Sequence, residues 1–149
     1  MSSELTALEK LVVVQECTQL ISRFAERNDA RDHDAVADMF VEDGVFVRPS
    51  KPDQPYVGRE TIREGFRARP ANLATRHLIV NIVVTPVSAT EARARSYTLL
   101  YTAPVPESGL PRADAKQLIG LSDDRLVRDR DGEWKFVERI GSLVMSAGG

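Results

Sequence analysis

From residue 75 to its end, this 149-residue chain is patterned for strands and turns alone. Four apolar-rich runs follow one another: TRHLIVNIVVTP (75–86), EARARSYTLLYT (91–102), KQLIGLSDDRLVRD (116–129) and EWKFVERIGSLVM (133–145). The first two are joined by VSAT, a length suited to a hairpin. The last two flank RDG, whose Asp131-Gly132 step is a strong hairpin signal. Between the pairs lies the Pro-rich loop APVPESGLPRAD. Connections this short suit antiparallel neighbours, because a parallel return needs a crossover of roughly a dozen residues or more. A four-stranded meander has apolar residues to cover, and the first half of the chain must supply the cover.

That half has helical periodicity. Residues 5–27 set Val13, Cys17, Leu20, Ile21 and Phe24 on one stripe of an amphipathic helix. Asp32 or Asp34 caps a second, short helix whose Val36, Met39 and Phe40 face inward. EDG then turns the chain into a short strand, 45–49, and Pro49, Pro52, Pro55 and Gly58 mark an irregular connection. A third helix, about 59–69, places Ile62 and Phe66 at i, i+4 and stops before Pro70. Its Arg59, Arg63 and Arg67 form an exposed ridge. The expected fold is α+β: three helices from the N-terminal half packed on one face of a curved, mostly antiparallel sheet, as one domain over 1–149.

Charge narrows the function. With 20 Lys+Arg against 22 Asp+Glu the net charge is −2, and the arginines are interleaved with acids, so neither nucleic acid nor an anionic membrane is an expected partner. No apolar run approaches the roughly 18 residues needed to cross a bilayer. Cys17 is the single cysteine, read as a buried thiol, and no intrachain disulfide can form. With a polar, acidic first segment, MSSELTALEK, the expected setting is cytoplasmic.

Two polar residues interrupt the most apolar strand. His77 and Asn81 are four apart and share a face with Ile79 and Val83, while Leu78, Val80, Ile82 and Val84 form the other face. A strand apolar on both faces is covered on both. A buried imidazole or amide then either finds hydrogen-bond partners silently or lines a cavity where a ligand meets it. The first helix raises the same question. Its apolar stripe, continued on the helical period, next reaches Asn28, with Asp29 toward the edge. Spacing alone leaves open whether these two are functional or simply a polar helix end.

The stretches RFAERNDARDHDAVADMFVEDGVF, GRETIREGF, TRHLIVN and DGEWKFVERIG together resemble the SnoaL-like group of the nuclear-transport-factor-2-like superfamily. The resemblance implies a cone-shaped, strongly curved sheet with helices closing one side around a pocket. In its dehydratase and dehydrochlorinase members a catalytic aspartate precedes an Asp-aromatic-Asp step by three residues. Asp29 stands in that place before Asp32-His33-Asp34, and His77 matches the histidine at the start of the long strand. The implied catalytic pair is Asp29 and His77. Neutral imidazole can accept a substrate proton near neutral pH, and a carboxylate on the other ring nitrogen fixes the tautomer. Removing a C–H proton and expelling a leaving group needs neither metal nor redox cofactor, and none is expected. From facing alone, Asn28 and Asn81 are placed to bind or polarise substrate, with Phe24 and Tyr97 beside them; Tyr97 and Tyr101 fit packing equally well.

The chain also departs from particular members. The strand after His77 carries no second histidine, and Asn28 stands where scytalone dehydratase has a tyrosine. Arg48, before Pro49, occupies the position of the catalytic carboxylate of ketosteroid isomerases of this fold. Two histidines and no cysteine cluster give no zinc site, and Asp32-His33-Asp34 reads as caps. The expected function is elimination or dehydration, isomerisation or cyclisation of a small hydrophobic molecule. The other class in play is a non-catalytic module of the same fold, binding a small ligand or serving as a structural subunit like the small subunit of ring-hydroxylating dioxygenases. A homodimer is expected through the outer sheet face, since Leu78, Val80, Ile82 and Val84 exceed what three helices can cover.

Overall fold

The computed structural model describes residues 4–149. Thr6 opens helix α1 (Ala7–Asp29) with a reciprocal capping box: its hydroxyl accepts from the Glu9 N–H at 3.2 Å, and the Glu9 carboxylate accepts from the Thr6 N–H at 2.8 Å. The stripe Val13, Cys17, Leu20, Ile21 and Phe24 is buried, and Asn28 continues it. Helix α2 (His33–Asp38) is capped by Asp32, whose carboxylate accepts from the Ala35 N–H at 3.2 Å. Asp34 instead takes Arg63 and Arg67 of α3 (Arg59–Arg67), whereas Arg59 is half-buried and donates to the Phe40 carbonyl at 2.9 Å, so of the expected ridge only Arg67 stands exposed.

Phe40 does not end α2. It begins strand β1 (Phe40–Val47), five residues earlier than expected, and β1 then pairs with a two-residue strand β2 (Tyr56–Val57) hidden among the prolines. The remaining strands are β3 (Leu73–Pro86), β4 (Glu91–Pro104), β5 (Gln117–Arg128) and β6 (Trp134–Ala147). They form one curved six-stranded sheet in the order β2-β1-β6-β5-β4-β3. The β3–β6 meander is antiparallel throughout, as the turn signals require, and β1 joins β6 in parallel.

The helices cover the concave face. All five phenylalanines of the chain converge there, with Phe24 of α1 facing Phe40, Phe46, Phe66 and Phe136 at centroid separations of 5.6–6.1 Å. Edge-on and tilted aromatic pairs of this kind add about 0.5–1.5 kcal/mol each beyond area burial. Trp134 is buried beside them and donates its indole N–H to Glu16 at 2.7 Å. Cys17 is fully buried, and burial pushes its thiol up to about 12, aided by Glu16 and opposed by Arg128, so it packs as an inert apolar group.

Simple alternation fails within β3. Asn81 has a φ of +52°, and the pairing with β4 jumps from Val80↔Tyr97 to Val83↔Arg95. Two residues of β3, Asn81 and Ile82, therefore oppose Ser96 alone, which is a β-bulge. The bulge reverses the facing of everything after it. Ile82 and Val84 pack into the core with Ile79, whereas Leu78, Val80 and Val83 lie outside, 48%, 40% and 61% exposed. The outer face is therefore not Leu78, Val80, Ile82 and Val84, and Asn81 does not share the side of His77.

Candidate active site

The C-terminal end of α1 meets the start of β3. There Asp29 Oδ1 lies 2.6 Å from Nδ1 of His77 and accepts a second hydrogen bond from the Thr75 hydroxyl at 2.9 Å. Its Oδ2 accepts the His77 backbone N–H, also at 2.9 Å. Both side chains are largely withdrawn from solvent, at 14% and 16% exposure. Burial would raise the Asp29 carboxyl, but the His77 ring and backbone and the Thr75 hydroxyl together hold it below the ordinary carboxylate range. An ionised carboxylate only accepts, so Nδ1 carries the shared hydrogen. Nε2 is then the ring nitrogen left for a ligand.

His77 lines a cavity of about 270 Å³ between α1 and the concave sheet. That is near the small end for small-molecule pockets. Much of the wall is apolar, from Phe24, Phe46, Ile79, Leu100 and Leu118, and Thr98 and Ser122 add hydroxyls. Also on the wall, buried Arg139 donates through Nη1 to Asp124 at 2.7 Å and lies over the rings of Phe24 and Phe136, 4.7 and 5.0 Å from their centroids. Burial pushes the Asp124 carboxyl up to about 6 against the pull of Arg139, and its Oδ1 is buried without a partner among the described residues.

Asp29, His77, Asn28 and Phe24 therefore come together. Asn28 is buried, and its side-chain oxygen accepts from Arg69 Nη1 at 2.6 Å, so the arginine already occupies the amide carbonyl. Asn81 and Tyr97 do not reach the cavity. Asn81 is exposed at the bulge, and Tyr97, 38% exposed, pairs with Val80 on the outer face. Four cavity arginines, Arg31, Arg48, Arg69 and Arg139, escape a search for apolar periodicity, as does His33. Arg48 alone had a signal, its place before Pro49. For Arg139 the alternation misleads, because the register between β5 and β6 shifts and brings it to the same side as Phe136. Among the described residues no group of three His, Cys, Asp or Glu side chains is placed to hold a metal ion.

A model of the SnoaL-like domain family matches residues 9–140. No curated protein sequence matches the chain. Among solved structures, one provisionally described as a scytalone dehydratase from Novosphingobium aromaticivorans aligns with a TM-score of 0.81 at 23% identity, covering 97% of this chain and 92% of that one. ActVI-ORFA from Streptomyces coelicolor aligns at 0.73 and 24% identity, covering 88% and 97%. What is shared with these two is the fold. A Catenulispora acidiphila protein in complex with S-DNPA aligns at 0.70 and 25% identity, covering 90% and 95%.

Proposed function

This chain belongs to the SnoaL-like domain family, and from that premise we propose that it is a cofactor-independent acid–base enzyme acting on a small, largely apolar molecule. One observation carries the reading: the 2.6 Å contact between Asp29 Oδ1 and Nδ1 of His77, the member of the pair that lines the cavity. With Nδ1 held by the carboxylate, the Nε2 lone pair takes a proton from a carbon beside an electron-withdrawing group. Asp29 stabilises the imidazolium that results. Expulsion of a leaving group from the neighbouring carbon completes an elimination or dehydration. Return of the proton elsewhere gives isomerisation, and attack by the carbanion on an internal carbonyl gives cyclisation.

All three outcomes share the first proton transfer, so that step is the one to assay. Small cyclic β-hydroxy ketones are incubated with the protein in D₂O, and NMR follows deuterium entering beside the carbonyl. His77→Gln should remove the enzymatic exchange while the variant melts as the parent does. Equal exchange by parent and variant would leave the chain as a ligand-binding or structural module.

The same reading includes a homodimer. Leu78, Val80, Val83, Tyr97 and Met145 are exposed on the outer side of the sheet, where a second copy would cover them. The single, buried thiol suits a reducing, cytoplasmic setting.

A further inference from the structure

The wall of this cavity holds more positive charge than it neutralises. Arg139 has Asp124, but Arg31, Arg48 and Arg69 have no carboxylate partner among the described residues; their hydrogen bonds go to neutral oxygens. Arg31 donates to the backbone carbonyls of Leu73 and Arg69, Arg48 to the Gln54 side chain, and Arg69 to the Asn28 side chain. The Arg48 Nε–H is buried with no partner among the described residues. Acids are not scarce in a chain with 22 of them, and on the surface Arg63 gathers Asp34, Asp38 and Glu60. Among the described residues no carboxylate lines the cavity, and Asp29, which reaches it only through His77 and Thr75, is already occupied by both.

Crowding these cations has a cost that shows on Arg69. Its burial, reinforced by Arg48 and Arg31, pushes the guanidinium down to about 10, despite some support from Tyr56 and Asp29. Its face rests on the Phe66 ring, 4.1 Å from the centroid, which fixes its plane. Among the described residues only its Nη1 is engaged in a hydrogen bond. A guanidinium has five N–H donors in a planar fork, and a carboxylate matches that fork two oxygens at a time.

We infer that the ligand of this pocket is an aromatic or alicyclic carboxylate, its acid group held by Arg69 and Arg48 and its ring body against Phe24, Ile79, Leu100 and Leu118. This rests on the proposed acid–base site and adds the substrate class to it. Arg69 is anchored on Asn28, the residue before Asp29, so a carboxylate bound there sits beside the catalytic pair. Arg31 contributes field and holds Arg69 in place through that residue's carbonyl.

The test uses matched probes, 2-naphthoate and its neutral isostere 2-naphthamide, titrated by calorimetry into the parent protein, Arg69→Gln, Arg48→Gln and His77→Gln. The parent should bind the acid roughly tenfold or more tighter than the amide, a margin of the size one charge-assisted pair supplies. Added salt should narrow that margin. Arg69→Gln should reduce the ratio toward one while leaving amide affinity in place. Arg48→Gln, at a more open position, should reduce it as well and serves if Arg69→Gln fails to fold. His77→Gln should lose deuterium exchange and keep the ratio, so the two readings fail separately. A parent that binds both probes equally, or neither up to their solubility, overturns the inference. So does a ratio that survives loss of Arg48 and Arg69.

Discussion

At the scale of single residues, the Asp29–His77 contact carries two predictions. Asp29 is fastened by Thr75 and by the His77 backbone as well as by the ring, so its position does not depend on the imidazole alone. His77→Gln should therefore keep the fold and lower turnover by roughly 10²–10⁴-fold, the usual contribution of a general base. Asp29→Asn should lower kcat with little change in KM, because the tautomer and the imidazolium lose their carboxylate while the cavity keeps its shape. Steady-state kinetics on any substrate that shows exchange separates these two effects. The second prediction concerns pH. The Asp29 carboxyl is held below its ordinary value in the fold, so the native state binds fewer protons than the unfolded chain in the acid range. Its stabilising contribution is then fully present above the ordinary carboxylate value and is lost as pH falls through the lowered native one. Urea midpoints of the parent should exceed those of Asp29→Asn by a constant margin near neutrality, and the margin should close below about pH 4. A margin that instead grows on acidification would mean that the carboxyl is not held ionised by these donors.

At the scale of elements, the bulge in β3 turns Asn81 out of the interior and sets Ile82 and Val84 against the core, and Asn81 makes it possible. Its φ of +52° lies in the left-handed region, which asparagine and glycine tolerate and β-branched residues do not. Asn81→Gly should change stability by less than about 1 kcal/mol, while Asn81→Val should cost about 1–3 kcal/mol, measured by chemical denaturation. Equal effects from both would show that the left-handed residue is not what the bulge requires. The same residue marks the limit of what could be read from sequence. Helical periodicity located α1 and α3 closely, and the hairpin signals located the β3–β6 meander, because both depend on local spacing. Facing along a long strand depends on an unbroken period of two, and one inserted residue inverts it. Strict alternation therefore puts Ile82 and Val84 outside and Asn81 inside, the reverse of their places in the fold. Helical spacing likewise puts Phe40 on α2, whereas its pairing with Phe136 of β6 makes it the first residue of β1. The cavity arginines were unreadable for another reason. Arginine is ordinarily a surface residue, and only tertiary packing reveals which of them face one another across a void.

At the scale of the whole molecule, a net charge of −2 conceals a basic cavity inside an acidic-balanced surface, and a large apolar face outside it. Across the convex side, Leu78, Leu99, Ile119 and Met145 stand in register on four successive strands, with Val80, Tyr97 and Leu121 in the next row. Leu78 and Met145 are 48% and 62% exposed, and Val80 and Tyr97 remain near 40% and 38%. A contiguous apolar patch of this kind is uncommon on a protein that works alone. A twofold partner packed sheet to sheet would cover it, with each copy offering the same patch. Light scattering at micromolar concentration should give twice the 16.5 kDa chain mass. Val80→Glu puts a charge into the middle of that face while leaving the cavity untouched, because Val80 points away from His77. It should shift the protein to monomer, lower the Tm and remove the dependence of Tm on concentration. Deuterium exchange and the preference for 2-naphthoate should persist in the monomer that remains, since every group assigned to them lies on the concave side of one chain. A parent that stays monomeric at those concentrations would leave the patch without a second copy as its cover.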